Sequence, residues 1–417
     1  MKYLIATILL IWAFSVHGQK MQYHRPMPYP QSKFIKKFEW TSQPVRYPGT
    51  GSDMHWHTWG IDDAIYIVDD DGANFGGPAN YAHVLKITGI PPFHQVETIT
   101  DFENYDFRVQ IPRKLLRRYV NGILAVDSTF YVCLYDYDWN LPSKVWDFDD
   151  LWAKAKMFNP WPIVTPQTRE RLSFIDSYSK HAGIAGIIRS KDFGKTWDNL
   201  PDSTPPPFLG PRFAGMSFVT WGAGYSNAPQ ELGEYVYGIS NDSNWESGDH
   251  IYLARVHRDS VLVRKAWQFF AGMKGKKPLW ILHEAASKPI FSDAGHVGHP
   301  TLTFNKALDR YILLVCSDVV PHREDATPEE QKKWDYASEL QLYESKSIFG
   351  PWRIFYNEAP WGGADHTCYL PQMPTKWISD DGLSGSIMFA GDYTHRKGEY
   401  YGLMTQQYRI WLFKSKL

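Results

Sequence analysis

Short runs of β-branched, aromatic and aliphatic residues recur along most of this chain, each closed by Gly, Pro, Asp or Asn. They include Ala64 to Val68, Val84 to Ile87, Gly122 to Val126, Thr129 to Leu134 and Ile184 to Ile188. The pattern continues through Glu234 to Ile239, His250 to Arg255, Arg310 to Val315, Gln341 to Glu344 and Ser386 to Ala390. Runs this short, with a turn about every 8 to 12 residues, bury apolar surface only by stacking into sheets. Helical periodicity is confined to Trp146 to Met157 and Pro328 to Trp334, two polar-faced stretches that read as loop insertions between strands.

The start of the chain sets its compartment. A basic Lys2, an apolar run from Leu4 to Val16 and a small residue at Gly18 predict a signal peptide over 1–18, cut after Gly18. The apolar run falls well short of the roughly 20 residues a membrane span requires. Gln19 and Lys20 stand where a lipid anchor needs cysteine, so the mature chain is expected in the periplasm or the medium, not inserted in a membrane. One domain over 19–417, with insertions near 140–180 and 320–338, is expected to act as a monomer. An all-β chain of about 400 residues favours a radial array of four-stranded sheets over a sandwich. At about 70 to 80 residues per sheet, the expected fold is a five-bladed β-propeller. Strand, tight turn, strand recurs at Trp59 to Tyr66, Ile123 to Tyr131 and Leu302 to Tyr311, in keeping with internal repetition.

With a formal net charge of −1, nothing points to nucleic acid or an anionic membrane. Aromatic residues make up 16%, with 18 Trp, 25 Tyr and 23 Phe, more than a core requires. The surplus fits a surface that stacks on sugar rings; close packing between sheets is the competing account. Cys133, Cys316 and Cys368 lack metal or redox spacing, so stability rests on the core.

Two turns sharpen the fold. Ser190-Lys-Asp192-Phe-Gly194-Lys-Thr196-Trp197 combines a glycine for a tight turn, polar side chains for its backbone groups and a tryptophan for the sheet below. It resembles the Asp-box of sialidase-type propellers, which is structural. Ser345-Lys-Ser-Ile-Phe-Gly350-Pro351-Trp352 resembles the outer hairpin of five-bladed propellers of glycoside hydrolase family 43. More widely, the order of Asp53 to Trp59, Asp69 to Gly72, Asn121 to Leu124, Ser240 to Ser243, Gly350 to Trp352 and Pro374 to Trp377 resembles secreted propellers related to the endo-D-arabinanases. That resemblance implies a carbohydrate-cleaving enzyme with polysaccharide or oligosaccharide as its partner. His55, His57, His296 and His299 depart from what the family requires.

Glycosidic hydrolysis ordinarily needs two carboxyl groups, here expected where inner strands begin at the propeller axis. Asp53 lies before the first strand among His55, Trp56 and His57, and alternation would send Asp53, His55 and His57 to one face. It is the candidate base or nucleophile; an Asx-turn is the alternative. Asp242 or Glu246, beside Trp245 in a segment dense in carboxylates, is the candidate general acid. That segment could instead be a plain surface loop, or hold a cation, although it lacks an EF-hand series. Asp71 is a second acid, a sugar ligand or a hairpin turn. A rival mechanism, a polysaccharide lyase, would draw on His296, His299 and His366 with Tyr369 or Arg212 to abstract the proton beside a uronate carboxylate. No cofactor is required by either route; His55 and His57 with His296 or His299 leave room for a divalent cation. A carbohydrate-binding propeller without an acid pair is the non-enzyme reading.

Overall fold

The computed structural model describes residues 23–47, 51–72, 80–100, 108–111, 114–138, 181–200, 208–209, 211–213, 215–242, 248–319, 327, 329, 337–363, 367–392 and 402–414. The expected signal peptide and the Trp146 to Met157 stretch lie outside these residues, as does Pro328 to Trp334 apart from Glu329. The chain is all-β, and all ten runs named above fall largely or wholly within strands. Among the described residues no helix is long and apolar enough to cross a membrane.

Strands β1 (Ile35–Trp40) and β2 (Val45–Arg46) come first. They precede β3 (Asp53–Trp59), β4 (Ile65–Gly72), β5 (Asn80–Ile90) and β6 (Phe93–Thr100), which form one sheet in chain order. Strands β7 (Arg108–Ile111), β8 (Lys114–Val126), β9 (Thr129–Asp138) and β10 (His181–Ser190) form a second. The next group is β11 (Ser217–Phe218), β12 (Tyr235–Asn241), β13 (Gly248–His257), β14 (Gln268–Lys274) and β15 (Lys277–Ile281). It joins β16 (Phe291–Asn305), β17 (Arg310–Asp318), β18 (Ser338–Ser345) and β19 (Arg353–Glu358) through Gly248↔Val297, His250↔Ser292 and Ile251↔Phe291. The last sheet contains β20 (Thr367–Gln372), β21 (Ser384–Asp392) and β22 (Gly402–Leu412), and β1 and β2 pair with β22. Both ends of the chain thus complete one sheet, which covers an edge that would otherwise stay unpaired.

Strands β3, β8, β11, β16 and β20 touch one another in a closed ring: β3 with β8, β8 with β11, β11 with β16, β16 with β20, and β20 with β3. Backbone groups along their edges need partners, and side chains from the neighbouring strand supply them. Thr58 Oγ1 accepts the N–H of Ala125 at 2.8 Å, and Ser217 Oγ donates to the Pro300 carbonyl at 2.7 Å. Thr303 Oγ1 donates to Met373 O at 3.0 Å, while Gln372 Oε1 accepts the N–H of His57 at 3.0 Å. Between β8 and β11 the approach is so close that a Cβ at Gly122 would lie 2.7 Å from the Met216 carbonyl oxygen.

Four of these strands carry a bulge at corresponding places. Register shifts fall between Asp53 and Trp56, Asn121 and Ile123, Gly298 and Thr301, and Tyr369 and Gln372. At each, one residue takes a positive φ: Met54 at 55°, Gly122 at 20°, His299 at 39° and Leu370 at 51°. Bulges bend a strand and re-aim its side chains, and they gather at barrel rims and beside sites.

The aromatic surplus goes heavily into packing. Trp221, Trp267, Trp352 and Trp361 are fully buried, and Trp56, Trp197 and Trp377 nearly so. All three cysteines are buried and free. In the Ser190 turn, Ser190 Oγ accepts the N–H of Gly194 at 2.8 Å, Asp192 Oδ1 accepts that of Thr196 at 2.9 Å, and Trp197 Nε1 donates to Gly194 O at 3.1 Å. Phe193 packs against Tyr66 and Phe130 of the first two sheets. In the second turn Ser345 Oγ accepts the N–H of Ser347, and Trp352 Nε1 donates to Ile290 O.

Candidate active site at the axis of the strand ring

A narrow cavity runs between the five ring strands, lined by Trp56 and His57 of β3, Gly122 and Ile123 of β8, Ser217 and Phe218 of β11, Thr301 and Thr303 of β16, and Gln372 of β20. The bulge opens β3 and falls in the middle or later part of β8, β16 and β20.

Asp53 is the first residue of β3, opposite Asp70, rather than before the strand, and Asp71 is on β4 rather than in a turn; their side chains lie outside the described residues. Trp245, Glu246 and His366 lie outside them altogether. Trp56 is packed in the core and also reaches the cavity wall.

His55 and His57 follow the bulge at Met54, which shifts the register of Asp53 relative to them, and the two rings have different partners. His55 is fully buried with Ser52, Asp69 and His83. Ser52 Oγ donates to Asp69 Oδ2 at 2.5 Å and lies 3.2 Å from His55 Nε2, so Nε2–H must be the donor to that hydroxyl. His83 Nδ1 lies 2.8 Å from Asp69 Oδ1. His57 instead faces β20, its Nδ1–H donating to Gln372 Oε1 at 2.7 Å, and Gln372 Nε2 returns a bond to His55 O. Burial lowers both imidazoles to about 4; the charge of Asp69 opposes this for His55 and the Gln372 bond for His57. Both rings are therefore neutral near pH 7, as proton acceptors or metal ligands must be.

Asp242 follows β12, and its Oδ1 accepts the N–H groups of Asp249 at 2.9 Å and His250 at 3.0 Å. Burial pushes its carboxyl upward, against the nearby His250 and these two N–H bonds. Asp249 Oδ1 accepts the N–H of Gly295 at 2.8 Å, and Asn241 Nδ2 donates to Val297 O at 3.1 Å. These bonds bring the Asp242 segment against β16 beside His296. Asp242, Asp249 and His250 each offer a ligand atom within 4.8 Å of the others, a set able to hold a divalent cation.

His296 Nδ1 lies 3.1 Å from Glu339 Oε2. His299 lies farther along β16, its ring centroid 5.8 Å from that of Tyr369 and its Nδ1 3.7 Å from Cys316 Sγ. Arg212 is not brought to them: its guanidinium donates to Ser287 O at 2.9 Å and rests over the Tyr252 ring at 4.9 Å. Ser52, Asp69, His83, Gln372, Asp249, Glu339, Asp293 and Arg25 are absent from the sequence-derived set of site residues. Glu339 lies in a strand buried along its whole length, but the alternating polar sequence of Ser338–Ser345 carries no signal of that burial.

A family model described as a domain of unknown function, DUF4185, matches residues 163–352. No curated protein matches the chain. Among solved structures the chain is similar to a putative hydrolase from Bacteroides ovatus, with a TM-score of 0.46 and 11% identity, covering 88% of this chain and 87% of that one. It is also similar to an α-L-arabinofuranosidase from Podospora anserina in complex with cellotriose, with a TM-score of 0.43, 11% identity and coverage of 91% and 99%. A family-43 enzyme from Xanthomonas citri gives a TM-score of 0.45 at 10% identity, covering 88% and 90%.

Proposed function

We propose that this protein is a secreted glycoside hydrolase built as a single five-bladed β-propeller, acting on a polysaccharide or oligosaccharide at the axial mouth. Its blades are β3–β6, β7–β10, β11–β15, β16–β19, and β20–β22 closed by β1. The observation that carries the reading is the carboxyl of Asp242, which burial pushes upward at the start-side end of a closed ring of inner strands. A glycosidase general acid must hold a proton near neutral pH, and burial is the usual means. Both N–H bonds to Asp242 fall on Oδ1, which leaves Oδ2 as the oxygen that a proton occupies.

In this mechanism Asp242 protonates the leaving glycosidic oxygen, and Asp53 activates water or attacks the anomeric carbon. Glu246 is the alternative acid on the same segment, and Trp245 offers a stacking face. His57, neutral and facing the cavity, is available as a hydrogen-bonding group for sugar hydroxyls. The order of motifs resembling the endo-D-arabinanases supports this. Secretion rests on the leader-like first 18 residues.

A lyase draws on one specific observation, the adjacency of His299 and Tyr369. The cation named for it, Arg212, is held by the 284–287 turn. Incubating the mature chain with a panel of plant, algal and microbial glycans, and reading new reducing ends together with absorbance of unsaturated products, separates the two. Reducing ends without absorbance support hydrolysis; absorbance gives the lyase; neither removes both.

A further inference from the structure

The segment before β1 crosses the sheet of β16–β19 as a strap. Tyr23 N–H donates to Ala359 O at 2.8 Å, the Tyr29 hydroxyl accepts the N–H of Ser292 at 2.9 Å, and Ser32 Oγ donates to Glu344 Oε1 at 2.8 Å. Tyr29 also stacks on Phe291 with ring centroids 4.8 Å apart. The strap delivers Arg25 to two acids far along the chain. Its guanidinium binds Asp293 through both terminal nitrogens, at 3.1 and 2.6 Å, and its Nε donates to Glu339 Oε2 at 3.0 Å.

Glu339 is wholly buried on β18. Burial alone would push its carboxyl up, but the bond from His296 and the charge of Arg25 outweigh that and hold it below the ordinary glutamate range. Asn357 Nδ2 donates to its other oxygen at 2.5 Å. An ionised carboxylate accepts only, so the proton between Glu339 and His296 belongs to Nδ1 of the imidazole. In the ring's neutral form Nε2 is then a bare lone pair, and the side chain keeps 11% of its surface accessible. On its other flank, Gly295 is fastened to Asp249, which places His296 beside the Asp242 segment.

We propose that Glu339 and Arg25 are positioning residues of the glycan site, fixing His296 so that Nε2 faces the substrate as a hydrogen-bond or proton acceptor. The role toward substrate rests on the glycosidase reading above; the fixed tautomer does not. In this arrangement the first residues after the expected leader cleavage complete the site, because Arg25 supplies the cation that lets two carboxylates stay buried together.

Ring 15N NMR of histidine-labelled protein at about pH 9, where free imidazole is neutral, tests this, with the His296 signals identified by their loss in His296→Gln. The expected wild-type spectrum shows His296 protonated at Nδ1 and bare at Nε2, and Glu339→Leu shifts it toward Nε2–H. Protonation at Nε2 in the wild type overturns the proposal even where Glu339→Leu fails to fold. An unchanged tautomer in folded Glu339→Leu overturns it as well. On whichever glycan is cut, kcat/KM should fall about tenfold or more in Arg25→Met, as expected for loss of a fixed charged hydrogen-bond partner, with partial rescue in Arg25→Lys. Unchanged kcat/KM in folded Arg25→Met would remove Arg25 from the site. A chain that cuts no glycan but shows the Nδ1–H tautomer would sink the hydrolase reading and leave the dyad standing.

Discussion

Asp249 accepts the backbone N–H of Gly295 at 2.8 Å, and together with the Asn241–Val297 bond and the β13–β16 pairing it ties the Asp242 segment to the strand that carries His296. The candidate acid and the candidate acceptor thus share an edge although more than 50 residues separate them in the chain. The direct test of Asp242 is Asp242→Asn. The amide oxygen still accepts the N–H groups of Asp249 and His250, so stability should change by less than about 1 kcal/mol. Loss of the proton donor should lower kcat about 10²- to 10⁴-fold. Thermal melts and turnover on the same preparation check both parts.

Acid should unfold this chain through its buried histidines. His55 and His57 stay neutral in the folded chain down to about pH 4, whereas in the unfolded chain they take protons near 6.5. The unfolded state therefore binds more protons between those values. Each ring contributes stability that is fully present above about pH 6.5 and falls away toward pH 4, by roughly 3 kcal/mol per ring. Urea unfolding at pH 7 and pH 5 should show the loss, and His57→Gln should make the slope with pH shallower.

Gln372 is the joint between β20 and β3. Replacing it with Ala leaves His57 N, His57 Nδ1 and His55 O without their partner in a buried place. The expected cost is about 1 to 3 kcal/mol per unsatisfied group that water cannot reach. A drop in denaturation midpoint with an unchanged m-value would register it as stability alone.

Trp197 is a structural wedge. Trp197→Ala should destabilise by about 3 to 5 kcal/mol while leaving kcat of the folded fraction unchanged. Gly194→Ala should also destabilise, since φ is +86° and a Cβ there would sit 3.0 Å from Val84 Cγ1. Calorimetry with activity normalised to folded protein separates these effects from catalysis.

Strand positions were legible in the sequence because their apolar runs and turn residues are local, and the Ser190 to Trp197 turn closes through bonds a few residues long. The register of Asp53 relative to His55 and His57 was not, since one residue of positive φ at Met54 inserts a bulge between them. No pattern in Ser338–Ser345 names the partner of Glu339: Arg25 lies 314 residues away, joined only by the path of the strap. Tryptophan counts pointed at sugar stacking, yet seven of the tryptophans are spent on packing between strands. Asp242 was chosen for its acidic neighbours, but what distinguishes it is burial, which composition does not encode.

The most direct measurement of the central claim is glycan cleavage by the purified mature chain beside Asp242→Asn. New reducing ends from the wild type, no unsaturated product, and at least a hundredfold loss in the folded variant are predicted. Equal rates in the two proteins, or unsaturated product from the wild type, would contradict it.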